Sequence, residues 1–291
     1  MHLTHIGLAV VAVAAGLLHM VGWGFLLSCR ARFGSGLTIF WIALLLYVRI
    51  LKPLFILRRP YRVTEVRPER GDTWTLGHAS GRSSRLSLQA WPARLAHSGG
   101  SPFKITAHPF SFSSSAAAAD GRVEMTIRNL GDFTSNIRKV TQGLRVYLDG
   151  PYGAFTIGNP ADMHVLVAGG IGVTPMMSLI RTLADQTDQR PVILLYGVRD
   201  WQSITFREEL EALKARLKLT IVYVPQEPPA GWIGEQGFIS AEMLRRHVPP
   251  PYAKHEYFIC GPGVMMDAIE KALSEMQVPM SKYHSERYSF V

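Results

Sequence analysis

Between residues 163 and 185 the chain reads MHVLVAGGIGVTPMMSLIRTLAD, and this stretch restricts the fold more than any other. HVLVA is a short, uninterrupted apolar run, the pattern of a strand covered on both faces. Gly169, Gly170 and Gly172 follow it. The next residues carry an apolar helix pattern, with Thr174 placed to cap its N-terminus and Pro175 suited to its first turn. A strand, a glycine turn and a helix N-terminus in series make an anion site suited to a dinucleotide pyrophosphate. The spacing is not G-x-G-x-x-G, so the motif takes its weight from what comes after it. PVILLYGV, LTIVYV and EYFICG read as further buried strands, and 206–217, 241–246 and 264–276 as helices between or after them. This alternation predicts an α/β nucleotide-binding domain with a parallel sheet over residues 159–291.

Arg199 stands just past the predicted end of PVILLYGV. A guanidinium there can meet an adenosine 2′-phosphate and favour NADPH. Asp200 beside it can instead hold a ribose hydroxyl, which suits NADH. A surface Arg–Asp pair of little energetic weight is the third reading. NADPH is preferred among these. At the far end, Tyr288 and Phe290 lie where chains usually fray, and two aromatics there predict that the terminus docks.

Residues 61–158 have another rhythm. YRVTEV, DTWTLGH, SRLSLQAW, RVEMTIRN and LRVYLDG are short β-segments with turn residues between them and no long helical run. They predict an antiparallel β-barrel. Within this part lies HPFSFSSS, residues 108–115. Pro109 removes a ladder donor. The hydroxyls of Ser111, Ser113, Ser114 and Ser115 are costly if buried without partners. A ligand rich in hydroxyl, phosphate and ring-nitrogen groups would satisfy them.

The chain opens with an apolar run from Ile6 to Ser28, 23 residues, enough to cross roughly 30 Å of hydrocarbon. It lacks the cationic start of a cleaved signal and is longer than a signal core. Arg30 to Gly36 reads as a short turn. A second run from Leu37 spans 21 residues if extended to Leu57, with Arg49 and Lys52 near its far end, where they can snorkel. Residues 1–60 are therefore expected to form two antiparallel transmembrane helices. Cations from Arg49 to Arg67 lie at and beyond the far end of the second span and place the soluble part on the cytoplasmic side. The formal net charge is +9, but no basic patch interleaved with aromatics and no zinc-finger spacing suggests nucleic acid. Two cysteines, Cys29 and Cys260, are too few for a disulfide scaffold, a structural zinc or an iron–sulfur cluster.

His5 and His19 sit in or at the edge of the first run. Their separation puts them within roughly 40° of one helical face and about 21 Å apart along the axis. That is the spacing two stacked haems would need, and neutral imidazole is an axial ligand. The alternative is that both rings are interfacial residues packed on another helix.

His108-Pro109-Phe110-Ser111-Phe112-Ser113-Ser114 resembles the flavin-binding signature of the ferric reductase/NADPH oxidase family, within the wider ferredoxin–NADP reductase-like superfamily. Arg128 before Gly131-Asp-Phe-Thr134 resembles its second element, and Asp149-Gly-Pro-Tyr-Gly153 its third. Gly169-Gly170-Ile-Gly172-Val-Thr174-Pro175 resembles its nicotinamide loop, and Cys260-Gly261-Pro262 its later turn. The resemblance implies that His108, Pro109, Phe110 and Ser111 line the flavin ring and ribityl chain, with Ser111 at N5. It implies that Arg128, Gly131 and Thr134 hold the FAD pyrophosphate. Cys260 would help position the nicotinamide C4, Phe290 would stack on the flavin, and Glu286 would lie near its edge. His5 and His19 would then be ligands of b-type haem, on what resembles the later of two ligand helices. The helix that would donate the opposing histidines, and the spans that precede it in such proteins, are absent from the sequence.

The expected activity is electron transfer from NADPH or NADH through FAD to haem and onward to a ferric chelate, oxygen, a quinone or a protein. Two alternatives stand beside it: a membrane-tethered reductase without haem, and a non-catalytic regulatory subunit.

Overall fold

The computed structural model describes residues 29–80, 92–96, 103, 108–118, 122–131, 134–149, 155–158 and 160–287. The chain divides into two compact units, Met1–Phe55 and Ile56–Val291.

The first unit contains helix α1 (Cys29–Leu46), which runs through a π-helical turn (Tyr47–Leu51) into helix α2 (Lys52–Leu57). The turn expected at Arg30 to Gly36 is helical instead. Gly34 and Gly36 weaken a helix but remove no hydrogen bond from it. Pro53 lacks an N–H, and its ring crowds the carbonyl four residues back; the wide turn directly ahead accommodates it. Thr38–Leu57 is long and apolar enough to cross a membrane by length and composition. It is the one such helix among the described residues, so the pair of spans is not shown. The run from Ile6 to Ser28, with His5 and His19, lies outside them. Ile39, Phe40, Trp41 and Phe55 expose more than half their surface.

The second unit holds two sheets. The first has strands β1 (Tyr61–Glu69), β2 (Thr73–Ser80), β3 (Pro92–Ala96), β4 (His108–Ser111), β5 (Val123–Arg128) and β6 (Arg145–Asp149). Their order is β4-β3-β6-β1-β2-β5, antiparallel throughout. Phe112, just past β4, bridges Met125 of β5, so the sheet curls until its first and last strands meet. Val63, Leu76, Phe112, Val123, Met125, Ile127 and Val146 fill the interior. Residues 84–91, expected as a strand, fall outside the described residues, and β3 follows them directly.

The second sheet is parallel, with order β11-β10-β7-β8-β9. Its strands are β7 (His164–Gly169), β8 (Val192–Asp200), β9 (Leu219–Glu227), β10 (Glu256–Gly261) and β11 (Tyr283–Arg287). Every residue of β7 and β10 is buried. Two apolar cores, one around Leu166 and Phe258 and one around Val167 and Tyr257, cover the faces, as alternate residues of a doubly covered strand require. Helices α3 (Val173–Asp185), α4 (Arg207–Leu213), α5 (Ala241–His247) and α6 (Gly263–Glu275) supply the covering layers. The helix expected from residue 206 starts one residue later and is shorter, because Phe206 takes a left-handed conformation, φ 61°. Strand β11 escapes the sequence pattern: YHSER has neither alternation nor an apolar run.

Candidate active site

Ligands of open parallel sheets gather at the carboxyl ends of the strands. Here β7 ends in Gly169, and a 3₁₀ turn, Gly170–Gly172, carries the chain straight into α3. Gly172 itself occupies the cap position of α3, and no side chain caps it. Thr174 therefore does not cap the helix as expected. The 3₁₀ turn starts the helix early, and the Thr174 hydroxyl donates to the Thr126 carbonyl of the barrel at 3.4 Å. Pro175 stays in the first helical turn, buried.

The turn fits tightly against β10. A Cβ on Gly172 would run into the Cys260 carbonyl oxygen. Gly169 lies where a Cβ would stand 2.7 Å from Pro262 Cδ, and one on Gly261 would stand 2.6 Å from Met265 Cε. Gly170 has φ +54°, and the nearest atom to its Cβ position is Arg128 Nη1 at 3.6 Å. Arg128 ends β5 of the barrel. The structure thus brings the expected flavin-pyrophosphate arginine onto the expected nicotinamide turn. Among the described residues no carboxylate pairs with that guanidinium.

Cys260 is fully buried at the end of β10, in the core with Phe155 and Phe258. Its register neighbour on β11 is Glu286. Burial pushes the Glu286 carboxyl up to about 7. Its Oε1 atom is buried with no hydrogen-bond partner among the described residues. Phe290 lies outside the described residues.

On the barrel, β4 is the terminal strand of the sheet order, where Pro109 costs no central ladder bond. Pro109 is exposed, His108 and Phe110 are half-buried, and Ser111 is buried opposite Pro92. The three serines that follow do not wait for a ligand in the way the sequence suggested. The Thr126 hydroxyl donates to Ser113 Oγ at 2.9 Å, and the Ala117 N–H donates to Ser115 Oγ at 3.1 Å. The Ser113 and Ser114 carbonyls accept from Arg181 and Ser178 of α3 at 2.8 and 2.6 Å. Only Ser114 Oγ stays buried without a partner.

The Gly131–Thr134 loop is closed by its own threonine. The N–H groups of Leu130 and Gly131 donate to Thr134 Oγ1 at 2.8 and 3.0 Å. These two amides are thus engaged within the loop, and residues 132 and 133 lie outside the described residues. A Cβ on Gly131 would meet nothing within 4 Å, and that side of the loop is open.

Arg199 and Asp200 do not pair with each other. Asp200 accepts from the N–H and hydroxyl of Ser203 at 2.9 and 2.8 Å and caps the 3₁₀ turn Trp201–Ser203. Those bonds hold its carboxyl below the ordinary range. Arg199, largely exposed, reaches Glu227 of β9 at 3.3 Å.

Both dinucleotide groups fit what the residues offer. A glycine turn opens a 13-residue helix, and Arg128 faces that turn; among the described residues its guanidinium has no carboxylate partner, and a buried carboxyl oxygen beside Cys260 has no hydrogen-bond partner. Sequence reasoning missed the α3 residues that face the barrel. Their signal was present: Thr174, Ser178, Arg181 and Thr182 form a polar stripe at helical spacing on an otherwise buried helix.

Residues 95–156 match the FAD-binding domain family and residues 166–271 the oxidoreductase NAD-binding domain family. The chain is 30% identical over 169 residues to NADH-cytochrome b5 reductase 1 of Laccaria bicolor, covering 56% of this chain and 55% of that one. It is 27% identical over 247 residues to the glycine betaine monooxygenase reductase subunit of Chromohalobacter salexigens, covering 76% of this chain and 67% of that one. The matched part thus spans little more than half the length of the curated cytochrome b5 reductases. Among solved structures, the flavohem-like FAD/NAD-binding domain of nitric oxide dioxygenase from Vibrio cholerae superposes with a TM-score of 0.68 at 21% identity, covering 79% of this chain and 98% of that one. The chain carries an FAD-binding domain and an oxidoreductase NAD-binding domain, joined in the two-domain fold of the ferredoxin–NADP reductase-like superfamily.

Proposed function

We propose that this chain is an NAD(P)H-dependent flavin oxidoreductase, attached to a membrane through Thr38–Leu57, that passes electrons to an external acceptor. The observation that carries the reading is the convergence at one end of the parallel sheet. Arg128 of the barrel faces the Gly169–Gly172 turn, and Cys260 and Glu286 lie beside that turn on neighbouring strands.

When bound, the flavin takes the two electrons of a hydride and releases them singly, which a nicotinamide does not do readily. The chain's own residues set the geometry. The α3 N-terminus and the Arg128 guanidinium favour a pyrophosphate, by dipole and by charge. The buried Cys260 and its apolar neighbours exclude water from the strand end. Glu286 holds or releases a proton at Oε1 near neutral pH, which matches the demand of proton-coupled electron transfer.

The acceptor is open among a ferric chelate, oxygen, a quinone and a protein. The cytochrome b5 reductase names of the relatives favour a haem protein. A haem bound by His5 and His19 rests on their spacing in the sequence. The exposed apolar helix Thr38–Leu57 supports the membrane attachment, and the cations after it support a cytoplasmic position for the catalytic unit.

Purified full-length protein in detergent is expected to carry flavin absorbance and to oxidise NADH or NADPH with ferricyanide. Flavin without turnover favours the non-catalytic reading instead. Haem reconstitution decides the remaining point: a Soret band abolished by His5→Ala and His19→Ala supports haem ligation, and its absence leaves a tethered reductase.

A further inference from the structure

Helix α3 begins at the glycine turn and then crosses the barrel. Four of its residues meet the barrel, Thr174 at β5 and the other three at the segment that follows β4. Thr174 donates to the Thr126 carbonyl at 3.4 Å and Ser178 to the Ser114 carbonyl at 2.6 Å. The Ala116 N–H donates to Thr182 Oγ1 at 2.9 Å. Arg181 is the centre of the group. Its Nη1 donates to the Ser113 carbonyl at 2.8 Å and to Glu124 Oε2 of β5 at 2.7 Å. Its Nε and Nη2 bind both carboxylate oxygens of Glu209, on α4, at 2.7 Å. The side chain is 13% exposed, and its guanidinium lies 5.4 Å from the Phe206 ring centroid. Arg67 of β1 approaches Glu124 at 3.7 Å, so charges alternate along Arg67, Glu124, Arg181 and Glu209.

A planar fork that binds one carboxylate with two nitrogens, a second carboxylate and a carbonyl with the third fixes direction as well as distance. The carbonyl belongs to Ser113, two residues after Ser111 on the same extended segment. The other end of α3 is the nicotinamide turn.

We propose that Arg181 is a positioning residue for hydride transfer, which sets the serine-rich strand of the flavin domain against the helix that begins at the nicotinamide turn. It touches neither cofactor site itself and acts through Ser113 and α3. The inference rests on the function proposed above. Catalysis between two bound groups depends on their mutual placement, and a shift near 1 Å can cost about 100-fold.

The test uses the full chain with Arg181→Met, Arg181→Lys and Glu209→Gln. Arg181→Met is expected to retain FAD and NADH affinity but to lose about 10- to 100-fold in flavin reduction rate at saturating NADH in anaerobic stopped flow. Arg181→Lys, which keeps the charge but not the fork, is expected to recover part of that loss. A second readout needs no cofactor: in flavin-free protein, amide exchange at Ser113 and Ala116 is expected to speed up about tenfold in Arg181→Met. A reduction rate and amide protection within twofold of wild type overturn the proposal. If Arg181→Met does not hold flavin, Glu209→Gln decides: a slower reduction step with unchanged NADH affinity supports the role, and an unchanged step overturns it. Failure of the wild-type protein to bind flavin or oxidise NADH is a different outcome, because it removes the proposed function and not the coupling seen by exchange.

Discussion

The two ends of the parallel sheet each hold a glutamate with a buried carboxylate oxygen, and they surround it differently. At the amino ends Glu256, fully buried on β10, lies between His284 Nε2 at 3.1 Å and His164 Nδ1 at 3.5 Å. At the carboxyl ends Glu286, on β11, has one buried oxygen with no hydrogen-bond partner among the described residues and a carboxyl raised to about 7 by desolvation. Glu256 has an imidazole nitrogen beside each oxygen, though only Oε1 is hydrogen-bonded to one, whereas Glu286 forms no ion pair among the described residues. A carboxylate with basic neighbours inside the fold is provided for there, whereas one without an ion-pair partner keeps capacity for a ligand. The amino end is therefore read as structural and the carboxyl end as the working end, in keeping with where ligands bind in such sheets.

The largest effect is expected from Glu256→Ala. Removing the carboxylate leaves two imidazoles facing a void, and stranding a buried hydrogen-bonding group in this way costs about 1–3 kcal/mol. Chemical denaturation should show that loss, while turnover per bound flavin in the folded fraction stays within about twofold. A variant as stable as wild type would undo the contrast between the two ends. Next is Gly172→Ala, whose methyl would strike a backbone carbonyl that cannot swing aside. NAD(P)H oxidation should fall about tenfold or more, through a higher KM and a lower kcat, as steady-state kinetics would show.

Glu286→Gln sharpens the comparison through pH. A carboxyl raised in the folded state contributes stability that is complete below its unfolded value of about 4.3 and is lost as pH rises through the folded value. Wild-type protein should therefore lose stability between about pH 4.5 and 7 from this group, and the amide variant should not. Thermal melts across that range check it, and the kcat profile should lose any inflection near 7. The smallest effect is expected at the rim of the same end. Glu227→Gln removes the exposed partner of Arg199 and should change stability by less than about 1 kcal/mol. It frees the guanidinium, so the ratio of kcat/KM for NADPH over NADH should rise a few-fold.

Much of this was legible in the residues. The apolar runs of β7 to β10 and the glycine turn fixed the parallel sheet, because strands buried on both faces leave little doubt about their period. The barrel strands β1, β2, β5 and β6 were equally readable from alternation and turn residues. What escaped was long-range partnership. The serines after Ser111 looked like ligand donors because a sequence does not show that α3 will lie across them. Thr174 looked like a cap because nothing local announces a 3₁₀ turn that starts the helix early. A surface pair between Arg199 and Asp200 was one reading of their adjacency, yet successive strand residues point to opposite faces, and each found its partner elsewhere. Strand β11 needed β10 beside it to become a strand at all.

The seam along α3 also bears on how such a chain can be recombined. A helix that opens with the nicotinamide turn and grips the flavin domain with its next two turns belongs to both halves. A chimera cut between residues 158 and 163 would join a foreign barrel to Thr174, Ser178, Arg181 and Thr182 without the carbonyls and the Glu124 carboxylate they meet here. The exchangeable module is a domain together with the surface its neighbour reads, and swaps that carry residues 113–126 along with α3 should inherit working alignment more often than swaps that part them.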